Sequence, residues 1–193
     1  MVGFGDRSLS QLLTELASEE LLPGAGSAAA TIVAMAAGLL AMAARRSRES
    51  WSDASGVAAQ AEALRARGLE LAGENADAYA EALAVLASPP GSRPVDRDAA
   101  IARALGRAAE TPLAIAQAAA DVGALGEAVV ERCSREARGD AAAAVLLAEG
   151  AARAAAALVE INLTATPGDL RVERARRFAD EASASARQVG RPE

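Results

Sequence analysis

An uncharged segment from Gly26 to Ala44, rich in alanine and glycine, constrains the fold of this chain more than any other feature. Its length is near the roughly 20 residues that a membrane span needs, so a transmembrane helix and a secretory signal are the alternatives to a buried helix. No basic region precedes it, since Arg7 is followed by Glu15, Glu19 and Glu20. We therefore favour a buried helix whose small side chains let neighbouring backbones approach closely.

The turn before this segment indicates a binding pocket. Pro23, Gly24 and Gly26 are typical of the entry to a helix. Such an entry leaves backbone N–H groups without acceptors at the helix N-terminus, where they favour a polar or anionic group. The sequence thus predicts a pocket at the start of the second helix.

Composition indicates an all-α fold. Hydrophobic residues make up 52% of the chain but aromatic residues only 2%, and clusters of β-branched residues are few. Alanine and leucine therefore fill narrow gaps between helices. With 193 residues the chain suits one domain with a sizeable core. We predict a single helical domain over residues 1–193, an antiparallel bundle of about seven helices.

Charge and residue usage exclude several classes of function. The formal charge of −6 and the scarcity of aromatic residues argue against a nucleic-acid partner. All 20 basic residues are arginine, and histidine is absent. These absences exclude a Schiff-base lysine, a Ser-His-Asp triad and a histidine metal cluster. The single cysteine, Cys133, excludes an intrachain disulfide. We expect a cytoplasmic protein that binds no metal and no membrane.

Capping signals divide the chain into helices. Ser8 and Gln11 form a capping-box pattern. Thr111 is a suitable N-cap with Pro112 at the first helical position, and Asp140 is a suitable N-cap for the alanine-rich segment that follows it. The patterns predict helices at about residues 8–20, 26–48, 53–88, 94–111, 112–139, 140–163 and 169–188.

The order of several short motifs resembles a known family. These motifs are PGAGSAAA at 23–30, Asp-Ala-Tyr at 77–79, AIARALGRAAETPLAIAQ at 100–117, Gly-Asp at 139–140 and Ile-Asn-Leu at 161–163. Over nearly its whole length the chain resembles the cyclodeaminase/cyclohydrolase family, which includes the cyclodeaminase part of formiminotransferase-cyclodeaminase and bacterial methenyltetrahydrofolate cyclohydrolases. The resemblance implies an all-helical homodimer that acts on one-carbon adducts of tetrahydrofolate without a metal or redox cofactor.

The sequence departs from the family at several polar positions. Ala25 replaces the middle of three glycines, and we expect it to obstruct a left-handed backbone conformation or a ligand that lies on that atom. Leu158 stands where the family tends to have an asparagine. The basic segment ARRSRESW lacks the family's lysine and tyrosine, and SREARGD replaces an asparagine-containing turn. The expected site is therefore altered.

The resemblance implies a hydrolysis that few groups can perform. A cyclohydrolase adds water to the amidinium carbon of methenyltetrahydrofolate and then opens the ring to the formyl compound. This needs a carboxylate beside the cation, a base for the proton of water, and anchors for the two ends of the substrate. Asp140 matches the family's aspartate and is the first candidate for the carboxylate. A simple N-cap is the alternative interpretation.

Further candidates follow from the same motifs. Asp77 and Tyr79 are the next catalytic candidates, although a solvated acidic face also explains Asp77. Tyr79 shares the apolar stripe of its helix with Asn75 and would point its hydroxyl inward. The candidates for substrate binding are Pro23, Gly24, Ala25, Gly26, Ser27, Arg45, Arg46 and Asn162. For the arginines, complementing the helix dipole is the alternative, and for Asn162 it is a helix C-cap.

Two other functions stay open at this point. One is the conversion of a different small cyclic imine or amidine in specialised metabolism, and the other is a non-catalytic helical dimer. The chain shows no formiminotransferase segment, which favours a cyclohydrolase over a cyclodeaminase. We expect a homodimer because the second helix and the helix at 141–163 present small residues over much of their circumference.

Overall fold

The computed structural model describes residues 4–88 and 94–190 of the chain. These residues form an all-α bundle, which confirms the predicted fold class. A short 3-10 helix, Phe4–Asp6, precedes seven α-helices: α1 Leu9–Leu16, α2 Ala25–Arg46, α3 Ala54–Ala87, α4 Pro94–Ala108, α5 Glu110–Arg132, α6 Arg138–Asn162 and α7 Leu170–Val189.

Two helix starts carry side-chain caps, of which the sequence predicted the one at Ser8. The Ser8 hydroxyl accepts a hydrogen bond from the Gln11 backbone N–H at 3.2 Å, and the Gln11 side chain accepts one from the Ser8 N–H at 2.9 Å. Asp169 accepts a hydrogen bond from the Arg171 N–H at the start of α7. The capping box at α1 is therefore confirmed, although α1 ends at Leu16 and not near residue 20.

The prediction of Thr111 as an N-cap is wrong. Only Ala109 interrupts the helical hydrogen bonding between α4 and α5, and it occupies the N-cap position itself. Pro112 is consequently the third helical residue, where its missing N–H leaves no intrahelical bond unmade. The Leu113 N–H already bonds to the Ala109 carbonyl at 3.1 Å. The proline is accommodated within the first turn of α5.

The prediction of Asp140 as an N-cap is also wrong. α5 ends at Arg132, about two turns earlier than expected, and α6 begins at Arg138. The segment between them is held to the end of α2, because the Ser134 N–H donates to the buried Ser47 hydroxyl at 2.8 Å. Asp140 therefore lies in the first turn of α6, where its charge complements the helix dipole.

The axes of α2 and α3 approach each other closely along their length. A Cβ atom on Gly68 of α3 would lie 2.8 Å from the Ala34 nitrogen and 3.0 Å from the Ala30 carbonyl oxygen of α2. One turn farther along α3, the carbonyl of Ala72 accepts a hydrogen bond from the buried Ser27 hydroxyl at 2.8 Å. Only glycine permits this separation, which fixes the antiparallel register of the two helices.

The other long helices surround this pair. α6 packs against both α2 and α5, and Gly126 of α5 has no room for a Cβ atom because Val145 of α6 fills that space. α7 covers α5 and α6, with Gly123 of α5 facing Ser185 of α7. The first turns of α2 and α5 therefore lie at the same end of the bundle as the last turn of α6.

Arg171 holds α7 to the junction of α4 and α5. Its guanidinium donates to the Gly106 carbonyl at 2.6 Å, to Glu110 at 2.5 Å and to Asp169 at 2.6 Å. The hydrogen bonds that Asp169 itself accepts from the Arg171 side chain and from its N–H lower the pKa of Asp169 to about 2. The junction is thus tied to α7 on the outside of the bundle.

Three segments are long and apolar enough to cross a membrane by length and composition alone. They are Ala25–Arg46, Asp96–Arg132 and Arg138–Asn162. In the bundle, 61%, 56% and 44% of their most apolar windows are buried against other helices. These segments supply most of the core, and a cytoplasmic location stays a prediction.

The close approach of α2 and α3 predicts opposite effects for two glycine substitutions in α3. Gly68→Ala should destabilise the protein by about 1–3 kcal/mol, because its methyl group meets backbone atoms that cannot rotate away. Gly56→Ala is the control, since nothing lies within 4 Å of its new Cβ, and it should leave stability unchanged or increase it. Urea denaturation followed by circular dichroism measures both; equal effects would contradict this packing.

Candidate functional site

A cavity of about 280 Å³ lies at the end of the bundle where α2 and α5 begin and α6 ends. The middle of α3 forms one of its walls. Eleven residues line it: Leu21, Gly24, Ala25, Gly26, Asn75, Tyr79, Ala108, Pro112, Leu158, Ile161 and Asn162. Five of them are among the predicted site residues, namely Gly24, Ala25, Gly26, Tyr79 and Asn162.

The rarest polar residues of the chain converge on this cavity. The whole chain contains one tyrosine and two asparagines, and all three line the cavity. Asn75 and Tyr79 come from adjacent turns of α3, so they share one face of that helix. Asn162 comes from the last turn of α6. Amide and hydroxyl groups from two helices are thus directed at the same space.

Asn75 is the polar residue that the sequence did not single out. It is only 8% exposed, and no hydrogen bond to its side chain is found among residues 4–88 and 94–190. Its amide lies directly over Gly26, where an added Cβ atom would come within 2.5 Å of the amide carbon and nitrogen. The signal available in the sequence was an asparagine in the apolar stripe of α3.

Asn162, in the last turn of α6, links that helix to the end of α4. Its Nδ2 donates to the Ala108 carbonyl at 3.3 Å, which also orients the side-chain carbonyl. The helix C-cap itself is Leu163. An amide carbonyl has two lone pairs, so the Asn162 Oδ1 is available to accept a hydrogen bond from a ligand.

The first turn of α2 opens into the cavity. Gly24 is its N-cap and has no side chain, and the first intrahelical bond runs from the Ala28 N–H to the Gly24 carbonyl at 3.1 Å. The N–H groups of Ala25, Gly26 and Ser27 therefore lack intrahelical acceptors. The Ser27 hydroxyl faces away, since it is fully buried against α3.

Ala25 does not strain the backbone, contrary to the expectation from the missing glycine. It is the first residue of α2, and the only positive φ angle in the described part of the chain is that of Gly168, at 83°. Alanine adopts helical angles readily. The expected obstruction of a left-handed conformation is therefore wrong, while obstruction of a ligand stays a prediction.

Asp77 and Pro23 lie outside this cavity. They line a neighbouring groove together with Arg7 and Glu15. Asp77 is exposed, as the interpretation of a solvated acidic face requires. Its role in catalysis stays a prediction that no contact with the cavity supports.

Arg45, Arg46 and Asp140 lie at the opposite end of the bundle. Asp140 precedes Asn162 by 22 residues of α6, which is about 33 Å at 1.5 Å per residue. Arg45 pairs with Glu62 at 2.7 Å, and hydrogen bonds from Arg65 and Arg45 lower the pKa of that carboxylate. Within one copy of the chain, these residues cannot contact a small ligand in the cavity.

The lining of the cavity is almost uncharged. Among the described residues that line it, none is acidic or basic, and the Tyr79 hydroxyl is the only side-chain group that can ionise. Leu158 and Ile161 supply apolar surface on one side. This combination holds a small, largely apolar group and orients it through a few hydrogen bonds.

Comparison with known sequences identifies the family. The profile of the formiminotransferase-cyclodeaminase family matches residues 8–181. The chain belongs to the formiminotransferase-cyclodeaminase family. This confirms the resemblance seen in the motifs. No match is found among curated proteins.

A solved structure shares the fold. The crystal structure of formiminotetrahydrofolate cyclodeaminase from Thermotoga maritima superposes with a TM-score of 0.84, covering 96% of this chain and 94% of that one. The two sequences are 18% identical. The same helical architecture is therefore kept at low identity.

In this family member, the contact between Gly26 and Asn75 predicts a specific effect of Gly26→Ala. The new methyl group should displace the Asn75 amide from the cavity wall. With asparagine-selective ¹⁵N labelling, the two side-chain amides give separate NMR signals. The Asn75 signal should move and the Asn162 signal should stay; an unchanged Asn75 signal would contradict the contact.

Proposed function

We propose that the protein hydrolyses the cyclic amidinium of 5,10-methenyltetrahydrofolate to 10-formyltetrahydrofolate in the cavity at the start of α2. The observation that carries this proposal is the convergence of Tyr79, Asn75 and Asn162 on that cavity in a chain of this family. The cavity matches part of such a substrate in size, with an apolar wall for rings and amides for their polar edges.

Tyr79 is the group that we assign to proton transfer. Water attacks the amidinium carbon, a C–O bond forms, and one water proton must leave. The Tyr79 hydroxyl is half-buried and can accept a hydrogen bond from the attacking water while it donates its own proton onward. The second proton then leaves the adduct's oxygen as the C=O bond forms, the ring C–N bond breaks, and the ring nitrogen takes a proton.

Two alternative reactions are compatible with parts of the site. The relative from Thermotoga maritima is a formiminotetrahydrofolate cyclodeaminase, and deamination would form the methenyl bridge and release ammonia. Leu158 and Ala25 in the wall favour the other alternative, a smaller cyclic imine or amidine outside folate metabolism. A non-catalytic protein is the remaining possibility.

The hydrolysis predicts faster decay of the absorbance of methenyltetrahydrofolate with the protein than in buffer, without added metal or nucleotide. Tyr79→Phe should slow the enzymatic decay on the order of 10²-fold, because Tyr79 is the only ionisable side chain among the described residues that line the cavity. Ser183→Ala on α7 is the matched control, since the Ser183 hydroxyl donates to Glu149 and does not line the cavity.

No acceleration by the wild-type protein would exclude this hydrolysis. Ammonia release from formiminotetrahydrofolate, with growth of the methenyl absorbance, would then identify deamination. Inactivity on both compounds would favour a ligand outside folate metabolism.

We also propose that the protein is a homodimer. α2 leaves Met35 54% exposed, and α6 leaves Leu146 52% and Ile161 65% exposed. Neighbouring residues on these faces are small or apolar, as predicted from the sequence. A second copy covers such a face through an isologous contact, in which the same surface serves both subunits.

A dimer offers the one arrangement in which Asp140 can act on the ligand. Asp140 lies about 33 Å along α6 from Asn162 in the cavity wall, so Asp140 must come from a second copy to approach Tyr79. An antiparallel contact along α2 or α6 would bring opposite ends of two subunits together. We keep Asp140 as a proposed catalytic carboxylate in this arrangement, with Arg45 and Arg46 near it.

A shared site predicts complementation between two inactive variants. Tyr79→Phe and Asp140→Asn chains should each be slow alone, whereas mixing them with subunit exchange should restore about a quarter of wild-type activity, because half the dimers then hold one intact site of two. Asparagine tolerates the first turn of a helix, so Asp140→Asn should fold. A mixture no better than the mean of its components would exclude the shared site, and a monomer by light scattering at micromolar concentration would exclude the dimer.

A further inference from the structure

The cavity exposes the positive end of α2 without a protein group that neutralises it. The N–H groups of Ala25, Gly26 and Ser27 have no intrahelical acceptor, and the N-cap Gly24 offers no side-chain oxygen. Gly24, Ala25 and Gly26 line the cavity directly. No residue in the described part of the chain supplies a capping oxygen to this helix, so a ligand in the cavity can take that position.

Asn75 gives a second, independent indication of a ligand. Its side chain is more than nine-tenths buried, has no hydrogen-bond partner among the described residues and lines the cavity beside Gly26. A largely buried amide without a protein partner is uncommon in folded proteins, so this one is available to a polar group that enters the cavity. The absence of a side chain on Gly26 allows this amide to lie next to the start of α2.

The sign of the charge that fits here follows from the lining. The helix end is positive, the Asn75 amide and the Tyr79 hydroxyl can both donate, and the described lining contains no acidic side chain. A cation would meet uncompensated positive potential at this point. An anionic oxygen would accept hydrogen bonds from the backbone and from Asn75 together.

We propose that the cavity binds an anionic oxygen, from a carboxylate or a phosphate group, which occupies the N-cap position of α2 and accepts a hydrogen bond from the Asn75 amide. The inference rests on the proposed function only in that the same cavity binds the ligand. It orients that ligand, since the anionic group lies at the start of α2 and the remainder extends along Leu158 and Ile161.

The test uses inorganic phosphate and glutarate as probes, in the absence of any folate. Each is titrated against sodium chloride at equal ionic strength while the melting temperature is measured, because a ligand that binds only the folded state stabilises it. At least one probe should raise the melting temperature of the wild type above that in chloride. In asparagine-labelled protein, the Asn75 side-chain signal should shift with the same dependence on probe concentration.

The variant Asn75→Asp tests directly whether the site binds a negatively charged group. Its carboxylate takes the place of the ligand beside the start of α2, so it should raise the melting temperature without a probe and weaken probe binding at least tenfold. Ala80→Asp is the matched control, because it adds the same charge to the exposed face of α3 outside this cavity and should keep the probe effect. Asn75→Leu removes the donor and should weaken binding without adding charge.

The outcomes distinguish a phosphate group from a carboxylate as the source of the anionic oxygen. They also test the anion site separately from the proposed hydrolysis. A response to phosphate alone identifies a phosphate group, and a response to glutarate alone identifies a carboxylate. No response of the wild type, or a full response in Asn75→Asp, would overturn the proposal. The folate assay is independent of these results, so the anion site can fail while hydrolysis is confirmed, and the reverse.

Discussion

The separation of α2 and α3 determines the rest of the structure. Gly68 lies against the backbone of α2, and the Ser27 hydroxyl bonds to the α3 carbonyl at Ala72, so the two helices can neither move apart nor slide without losing these contacts. Two turns toward the end of the bundle, the same approach brings the Asn75 amide over Gly26. The wall of the cavity is therefore a direct extension of the packing that builds the core.

Because the core is rich in alanine, the positions of the helices relative to one another are closely fixed. Most of the buried residues of α2 and α6 are alanine, which has no side-chain torsions to adjust. Helix positions then depend on backbone contacts and not on the packing of large side chains. The polar groups of the cavity sit on these helices, so their separations are held by the same contacts.

The fold was predictable because its signals are local. The capping box at Ser8, the prolines and glycines between segments and the scarcity of β-branched clusters all act within a few residues, and they gave the class and most helix bounds. The exceptions at Thr111 and Asp140 arose where a possible cap was present but the neighbouring turn began the helix earlier. At Asp140 the deciding contact is long-range, from Ser47 to Ser134.

The site was only partly predictable, for a related reason. The motif at residues 23–30 and Tyr79 pointed to the end of the bundle that contains the cavity, but the sequence could not show that Arg45 and Asp140 lie at the other end. Distances along α2 and α6 follow only once the direction of each helix is known. The sequence did not identify Asn75 as a site residue, because its role depends on contact with Gly26, nearly fifty residues away, and on the absence of a hydrogen-bond partner among the described residues.

The wall formed by α4 differs from the others in how firmly it is held. Ala104 and Ala108 pack with Ala82 of α3 in a small cluster that is separate from the main core. Ala108 both closes the cavity and accepts the hydrogen bond from Asn162. Because little apolar surface holds α4, its local unfolding costs less free energy than that of α2. Local unfolding of α4 would therefore open this wall of the cavity at a lower free-energy cost than movement of the wall formed by α2.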